Sequence, residues 1–262
     1  MLCRVPSWID RILSQALLSS EAALDAVMES LLAGEDAAAL AETYRLLACL
    51  ARSTPPPPPA AAQAAASTWR AAALSPPALQ RASWVLQHAQ HEPLLLRCLE
   101  ALLFLLRSEA LAGGGRRPLD LAASGLPEAA VGLVRAYCTR HRALDWDEPP
   151  EQPQQHALLS DLRLTATHCD LALRLIEALA IFLGDAGGST AALVAVLIAP
   201  CVDVFDLAMA DSIHPDLTLA ASAAGTLGTL LELLEDLPLQ LPEAQQAARE
   251  RIKSWEARSG RP

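Results

Sequence analysis

The segment "HEPLLLRCLEALLFLL", from His91 to Leu106, has the pattern of an amphipathic helix, and this 262-residue chain repeats that pattern. Its leucines recur at three- and four-residue intervals, the spacing that places apolar side chains on one face of an α-helix. A close variant, "HCDLALRLIEALAIFL", runs from His168 to Leu183, and a third, "HPDLTLAASAAGTLGTLL", begins at His214. We call these three segments the repeated phrase. A chain that repeats one amphipathic helix is predicted to stack the copies on a shared core.

The composition agrees with an all-helical protein. Alanine and leucine dominate a chain that is 52% hydrophobic and 4% aromatic, while the β-branched and aromatic residues that favour strands are scarce. The formal net charge of -10 argues against nucleic acid as the main partner, because phosphate binding requires a concentrated basic surface. No segment has the roughly 18 consecutive apolar residues that cross a bilayer, and the closest, Ala191 to Val202, is short and contains Pro200.

The spacing of the phrase is typical of helical repeat proteins. The intervals between its histidines, 77 and 46 residues, fit units of about 40 residues with two or three helices each. "SGLPEAAVGLVRAY" resembles the start of an armadillo unit, and "HPDLTLAASAAGTLGTLLELL" resembles the third armadillo helix, where small residues allow close packing. The resemblance covers about Glu35 to Asp236. It implies an armadillo- or HEAT-like α-solenoid of stacked antiparallel helices, and an irregular helical bundle is the alternative.

Helix punctuation divides the chain into four parts. Residues 1–52 are predicted to form N-terminal capping helices, with Ser19 or Ser20 starting one helix that ends near Gly34. The segment 53–68, "STPPPPPAAAQAAAS" with its flanks, is a Pro/Ala-rich surface linker or a ligand for a proline-binding module. Helical repeats occupy 69–240, with breaks expected at "GDAGG", which begins at Gly184, and around Pro200. A polar helix and tail, 241–262, close the chain.

The cysteines indicate a reduced, intracellular compartment. No Cys-x-x-Cys pair occurs, and most of the thiols lie in apolar helical segments, where they act as small hydrophobes. The six positions are Cys3, Cys49, Cys98, Cys138, Cys169 and Cys201. We therefore expect a cytoplasmic or nuclear protein. Mitochondrial import is the lesser alternative, because Arg4 and Arg11 give the N-terminus only a weak basic amphipathic character.

No enzyme, cofactor or metal chemistry is predicted. Three histidine–cysteine sets have zinc-binding chemistry but loose spacing, namely His88/His91/Cys98, Cys138/His141 and His168/Cys169. We interpret these histidines as helix-start or surface residues. The "GGGRR" segment at Gly113 lacks the preceding strand and the Gly-Lys-Ser/Thr ending of a phosphate-binding loop. We therefore expect no catalytic residue.

The loop "LDWDEPPEQPQQ", from Leu144 to Gln155, is the predicted partner-binding segment. Trp146 stands between Asp145 and Asp147 and is followed by Glu148. An exposed tryptophan flanked by acids suits a basic partner, because aromatic side chains carry much of the energy of protein interfaces. The alternative is that Trp146 folds back and fixes the loop on the helices. Together with a groove between repeats, these residues predict binding of a basic or apolar peptide or helix, and the attraction should weaken with salt.

The expected function is a non-catalytic protein-interaction scaffold or adaptor, since extended repeat arrays present a groove. The alternative is a structural or regulatory subunit of a larger ciliary, chromatin or enzyme complex. Armadillo proteins that carry nuclear cargo resemble one another in a ladder of asparagines, and this chain has no asparagine. Tubulin-binding HEAT arrays resemble one another in basic loops, and Lys253 is the single lysine here. The resemblance therefore implies the architecture without either recognition chemistry.

Overall fold

The computed structural model of the chain describes residues 20–53, 69–111, 121, 123–145, 164–184, 191–210, 215–235 and 242–259. These ranges contain helices and no β-strand, so the all-α prediction is confirmed. Nine helices have defined bounds there: α1 Glu21–Ala33, α2 Ala37–Ser53, α3 Pro76–His88, α4 Glu92–Leu111, α5 Leu126–Asp145, α6 Ala166–Gly184, α7 Ala191–Ala210, α8 Leu217–Glu235 and α9 Pro242–Ser259. A further helical segment, 69–73, precedes α3.

The limits of α1 follow from its capping residues. The Ser20 hydroxyl accepts a hydrogen bond from the amide of Ala23 at 3.3 Å, which satisfies one of the unpaired donors at the helix start. Gly34 follows the last turn, and a Cβ atom there would lie 2.4 Å from the carbonyl oxygen of Ser30. A larger residue at 34 would therefore force the backbone to shift. Both predicted boundaries are confirmed.

The expected break at Pro200 is wrong, because α7 continues through it from Ala191 to Ala210. Proline removes one backbone hydrogen bond and costs roughly 3 kcal/mol inside a helix. The carbonyl that loses its donor belongs to Val196, a residue that is 51% exposed. Packing offsets the remaining cost, since the neighbouring side chains of Leu197 and Cys201 are fully buried. Tertiary contacts thus override the local preference.

The helices pack in two rows. The even row consists of α2, α4, α6 and α8, and each of these helices contacts the next one in the row. The odd row consists of α1, α3, α5, α7 and α9, which contact one another in the same successive way. Between the rows, α1 packs on α2, α3 on α4, α5 on α6 and α7 on α8, while α9 packs on α8 and α7. The described helices are thus grouped as helical hairpins that adjoin one another in chain order.

The repeated phrase lies on three successive helices of the even row, α4, α6 and α8. Polar contacts place α8 alongside α6 in a parallel orientation. The Thr226 hydroxyl donates to the Ser222 carbonyl of its own helix at 3.0 Å and lies 3.4 Å from the carbonyl oxygen of Leu173 in α6. The Thr229 hydroxyl donates to the Glu177 carboxylate at 3.1 Å. Because the contact partners advance together along both helices, the two phrases face the same way. His214, at the start of the third phrase, lies outside the described residues.

One cluster of buried apolar side chains extends from Val27 in α1 to Ala248 in α9. The predicted capping unit, 1–52, contributes α1 and most of α2 to this cluster, and α2 packs extensively on α4. The described side chains on both sides of the proline tract therefore share one core. The proline tract itself lies outside the described residues, and so does the helix predicted before Ser20.

Within the described ranges, α8 is the one helix long and apolar enough to cross a membrane by length and composition, with a mean hydropathy of 1.5 over its best window. Half of that window is buried. The helix also packs against α6, α7 and α9. A central core helix has the same composition, and these contacts favour that interpretation.

Candidate functional site

An open groove crosses three successive helices of the even row, and its volume is about 580 Å³. We call it the even-row groove. It is lined by Arg107 of α4, by Arg174 and Glu177 of α6, and by Leu217, Thr218, Ala221, Ser222, Gly225 and Thr226 of α8. All three helices carry the repeated phrase, so the groove is a product of the repetition.

Small residues of α8 keep one wall of the groove low. Thr218, Ala221, Ser222 and Gly225 follow the spacing that places side chains on one face of a helix. A Cβ atom added at Gly225 would have no neighbour within 4 Å, which shows how open this face is. At one end, Leu217 remains 53% exposed and offers an apolar contact. The wall therefore admits the close approach of another chain.

The α6 side of the groove carries two charges that are held in place. Arg174 contacts Asp170, one helical turn away, through its Nε atom at 3.0 Å. The second carboxylate oxygen of Asp170 is buried and has no partner among the described residues. Glu177 accepts the hydrogen bond from Thr229 across the α6–α8 contact. Both side chains are thus oriented before any ligand binds.

Arg107 differs from Arg174 because it is exposed and forms no ion pair with any residue that the structure describes. The groove lining therefore contains two guanidinium groups and one carboxylate, that of Glu177. With the Asp170 carboxylate beside Arg174, the charges at the groove balance, whereas the chain as a whole has a net charge of -10.

The position of the groove follows from differences between the copies of the phrase. In the first phrase, Arg97 and Glu100 stand six and nine residues after His91. Arg174 and Glu177 have the same spacing from His168 in the second phrase. In α4 the two close on each other at 2.7 Å, and Arg52 of α2 approaches the same carboxylate at 3.9 Å. The corresponding residues of the third phrase are Ala220 and Ala223, both fully buried. Arg97 and Glu100 are therefore paired with each other and approached by α2, whereas the open groove lies on the side of α8.

His168 is a helix-start histidine, one of the two interpretations offered for the phrase histidines, and it is buried. It is the third residue of α6, and only 1% of its surface is exposed. Its Nδ1 atom lies 2.8 Å from the Thr165 hydroxyl, while Nε2 has no hydrogen-bonding partner among the described residues. Burial lowers the pKa of His168, so the ring is neutral at pH 7. The equivalent His91 is exposed as predicted.

The predicted partner-binding segment falls almost entirely outside the described residues. This applies to Trp146, Asp147 and Glu148. Asp145 is the last residue of α5, so the helix continues through the first two residues of the expected loop. Because α5 belongs to the odd row, Asp145 ends a helix of the row opposite to the even-row groove.

A different tryptophan, missed at the sequence level, is exposed on α3. Trp84 is 48% exposed, its ring stacks on His88 with centroids 5.2 Å apart, and the Arg81 guanidinium carbon lies 4.7 Å from its centroid. Arg81 also donates a hydrogen bond to the carbonyl of Gly34 at the end of α1. We call Arg81, Trp84 and His88 the Trp84 cluster. The exposure of Trp84 could have been predicted from helical spacing, because the buried residues of α3 lie on the opposite face of the helix.

Burial disfavours the thiolate form of three cysteines in the core. The five described cysteines are reduced and buried, and burial raises the pKa of Cys98 to about 12 and that of Cys169 and Cys201 further still. Protonated thiols are poor nucleophiles and poor metal ligands. In the part of the chain that the structure describes, no three histidine, cysteine, aspartate or glutamate side chains converge as a metal site would require.

The chain matches no family model, and no curated protein or solved structure is measurably similar to it. Its function therefore has to be inferred from the chemistry of its own surfaces. Two of them stand out in the described ranges, the even-row groove and the Trp84 cluster.

Proposed function

We propose that this chain is a non-catalytic scaffold that binds partner proteins, and that its helices form a HEAT-like array. Two observations support the array. The helices pair as hairpins of one odd-row and one even-row member, and neighbouring hairpins contact each other through both rows. Two helices per unit favour a HEAT-like arrangement over the three-helix armadillo unit. Such arrays place one helix of each unit on a continuous surface that binds other chains.

The even-row groove is the single observation that carries the binding function. It extends over three helices and is open along its length, whereas small-molecule sites enclose most of their ligand. A peptide or helix of a partner is the kind of ligand that such an open surface accommodates. The protonated state of the buried thiols supports a role without catalysis.

A second candidate function, a structural or regulatory subunit of a larger assembly, is favoured by the Trp84 cluster. Tryptophan and arginine are enriched among the residues that dominate protein interfaces. Trp84 is exposed yet held between Arg81 and His88, so little side-chain freedom would be lost on binding. This surface lies on the odd row, so an assembly contact there leaves the even-row groove available.

The test is quantitative co-purification of tagged chains from cells, compared between two matched glycine variants. Gly225→Trp fills the groove, while Gly132→Trp introduces the same side chain on α5 of the odd row. Neither glycine has a neighbour within 4 Å of an added Cβ atom, so both variants are expected to fold. We expect a stoichiometric partner to be lost about tenfold with Gly225→Trp and retained with Gly132→Trp. Equal recovery with both variants would contradict the groove function, and loss through Trp84→Ala alone would favour the second candidate.

A further inference from the structure

We propose that the even-row groove binds an acidic peptide segment whose carboxylates meet Arg107 and Arg174. The inference rests on the proposed function and specifies the partner. It replaces the basic partner that the net charge of the whole chain indicates.

Local charge decides which segment fits, because screening limits the reach of distant groups. At physiological salt the Debye length is about 8 Å, so the charges that line the groove outweigh those on remote helices. The lining holds Arg107, Arg174 and Glu177, and Arg174 is paired with Asp170 at 3.0 Å, so Arg107 is the lining arginine without an ion-pair partner among the described residues. The Glu177 carboxylate already accepts a hydrogen bond from the Thr229 hydroxyl, and this bond fixes its orientation.

The two arginines have donors to spare. Arg174 contacts Asp170 through Nε, and within the described part of the chain its two terminal nitrogens make no further contact. Arg107 makes no ion pair there at all. Arg97 of α4, at the equivalent position of the first phrase, instead uses a terminal nitrogen for its 2.7 Å contact with Glu100. The free N–H groups of Arg107 and Arg174 can form charge-assisted hydrogen bonds with carboxylates, which are about twice as strong as neutral ones.

The remaining lining specifies the shape of the segment. Ala221 and Gly225 allow the backbone of a second chain to lie directly on α8, and the exposed Leu217 provides an apolar contact at one end. The hydroxyls of Thr218 and Ser222 stand between these points and can hydrogen-bond to peptide groups. The expected ligand is therefore a short segment with acidic residues and at least one apolar side chain.

The experiment is selection of a random-peptide display library on the full-length chain, followed by fluorescence-anisotropy titration of the enriched peptides. We expect the enriched peptides to carry net negative charge and to bind more weakly as salt rises. Their Kd should increase about tenfold for Arg107→Gln/Arg174→Gln, and it should change less than about twofold for the control Arg135→Gln on exposed α5 surface. Should the double variant fail to fold by circular dichroism, Arg107→Gln alone gives the same test, because that side chain is exposed.

The outcomes separate this inference from the proposed function. If the enriched peptides are basic, or if they bind Arg107→Gln/Arg174→Gln as tightly as the wild type but are blocked by Gly225→Trp, the groove is the site and the acidic partner is wrong. If they bind Gly225→Trp as well as Gly132→Trp, both proposals fail. A selection that enriches no peptide also overturns both.

Discussion

The buried His168 makes the stability of the α4–α6 contact depend on pH. The perturbation is His168→Leu, which removes the titrating ring and also the Nε2 atom that has no partner among the described residues. Burial lowers the pKa of His168 in the folded chain below its ordinary value of 6.5, and the nearby Glu92 opposes this shift only in part. Well above pH 6.5 the ring is neutral in both states and contributes no pH dependence.

The sign and the size follow from proton linkage. As the pH falls below 6.5, the unfolded chain binds a proton at this histidine before the folded chain does, so the free energy of unfolding decreases. One proton changes that free energy by at most about 1.4 kcal/mol per pH unit. The unfolded histidine is already half protonated at pH 6.5, so between pH 6.5 and 5.5 His168 should lower the stability of the wild type by up to about 1 kcal/mol relative to His168→Leu.

Urea denaturation followed by circular dichroism, repeated from pH 7.5 to 5, measures this difference. His91→Leu is the matched control, because it makes the same substitution at the exposed histidine of the first phrase. We expect His168→Leu to flatten the acid-side loss of stability and His91→Leu to leave it in place. Parallel pH profiles for the wild type and His168→Leu would refute the placement of His168 in the α4–α6 contact.

Three further predictions concern the rest of the described structure. Gly34→Ala should lower the free energy of unfolding by at least about 1 kcal/mol, because its Cβ atom would lie too close to the Ser30 carbonyl oxygen. Gly132→Ala, inside a helix and with free space around the added Cβ atom, should raise the free energy of unfolding by about 0.5–1 kcal/mol. Urea denaturation measures both changes. Leu99→Ala should cost about 2–5 kcal/mol because Leu99 is fully buried, while Leu217→Ala, at an exposed site, should change thermal stability by less than about 0.5 kcal/mol. Iodoacetamide should label none of the five described cysteines until the chain unfolds, and peptide mass spectrometry of native samples that finds them modified would show that the core is open.

The helical architecture was predictable because its signals are local. Leucine spacing in the phrase predicted α4 and α6, and Ser20 and Gly34 fixed both ends of α1 by capping and by steric exclusion. The position of the phrase on successive helices of the even row follows from repetition, since equal helices bury equal faces. The continuation of α7 through Pro200 was not predictable from local signals, because it depends on the burial of neighbouring side chains against other helices.

The candidate site was less predictable, because it depends on which side chains meet across helices. His91 and His168 start the same phrase, yet one is exposed and the other is buried by the contact between α4 and α6. The net charge suggested a basic partner because it sums the whole chain, whereas the groove places two arginines together. Trp146, and not Trp84, was predicted as the exposed tryptophan, although the spacing of apolar residues in α3 places position 84 outside the core.

Site-specific photo-crosslinking tests the central claim, that the even-row groove is where partner proteins bind. A photoreactive amino acid at Ala221 lies in the groove, and one at Thr139 lies on the exposed surface of α5 in the odd row. We expect a discrete crosslinked partner from Ala221, and an excess of an enriched acidic peptide should compete it away. We expect no crosslinked partner from Thr139. Equal crosslinking at both positions, or a partner that attaches only at Thr139, would contradict the claim.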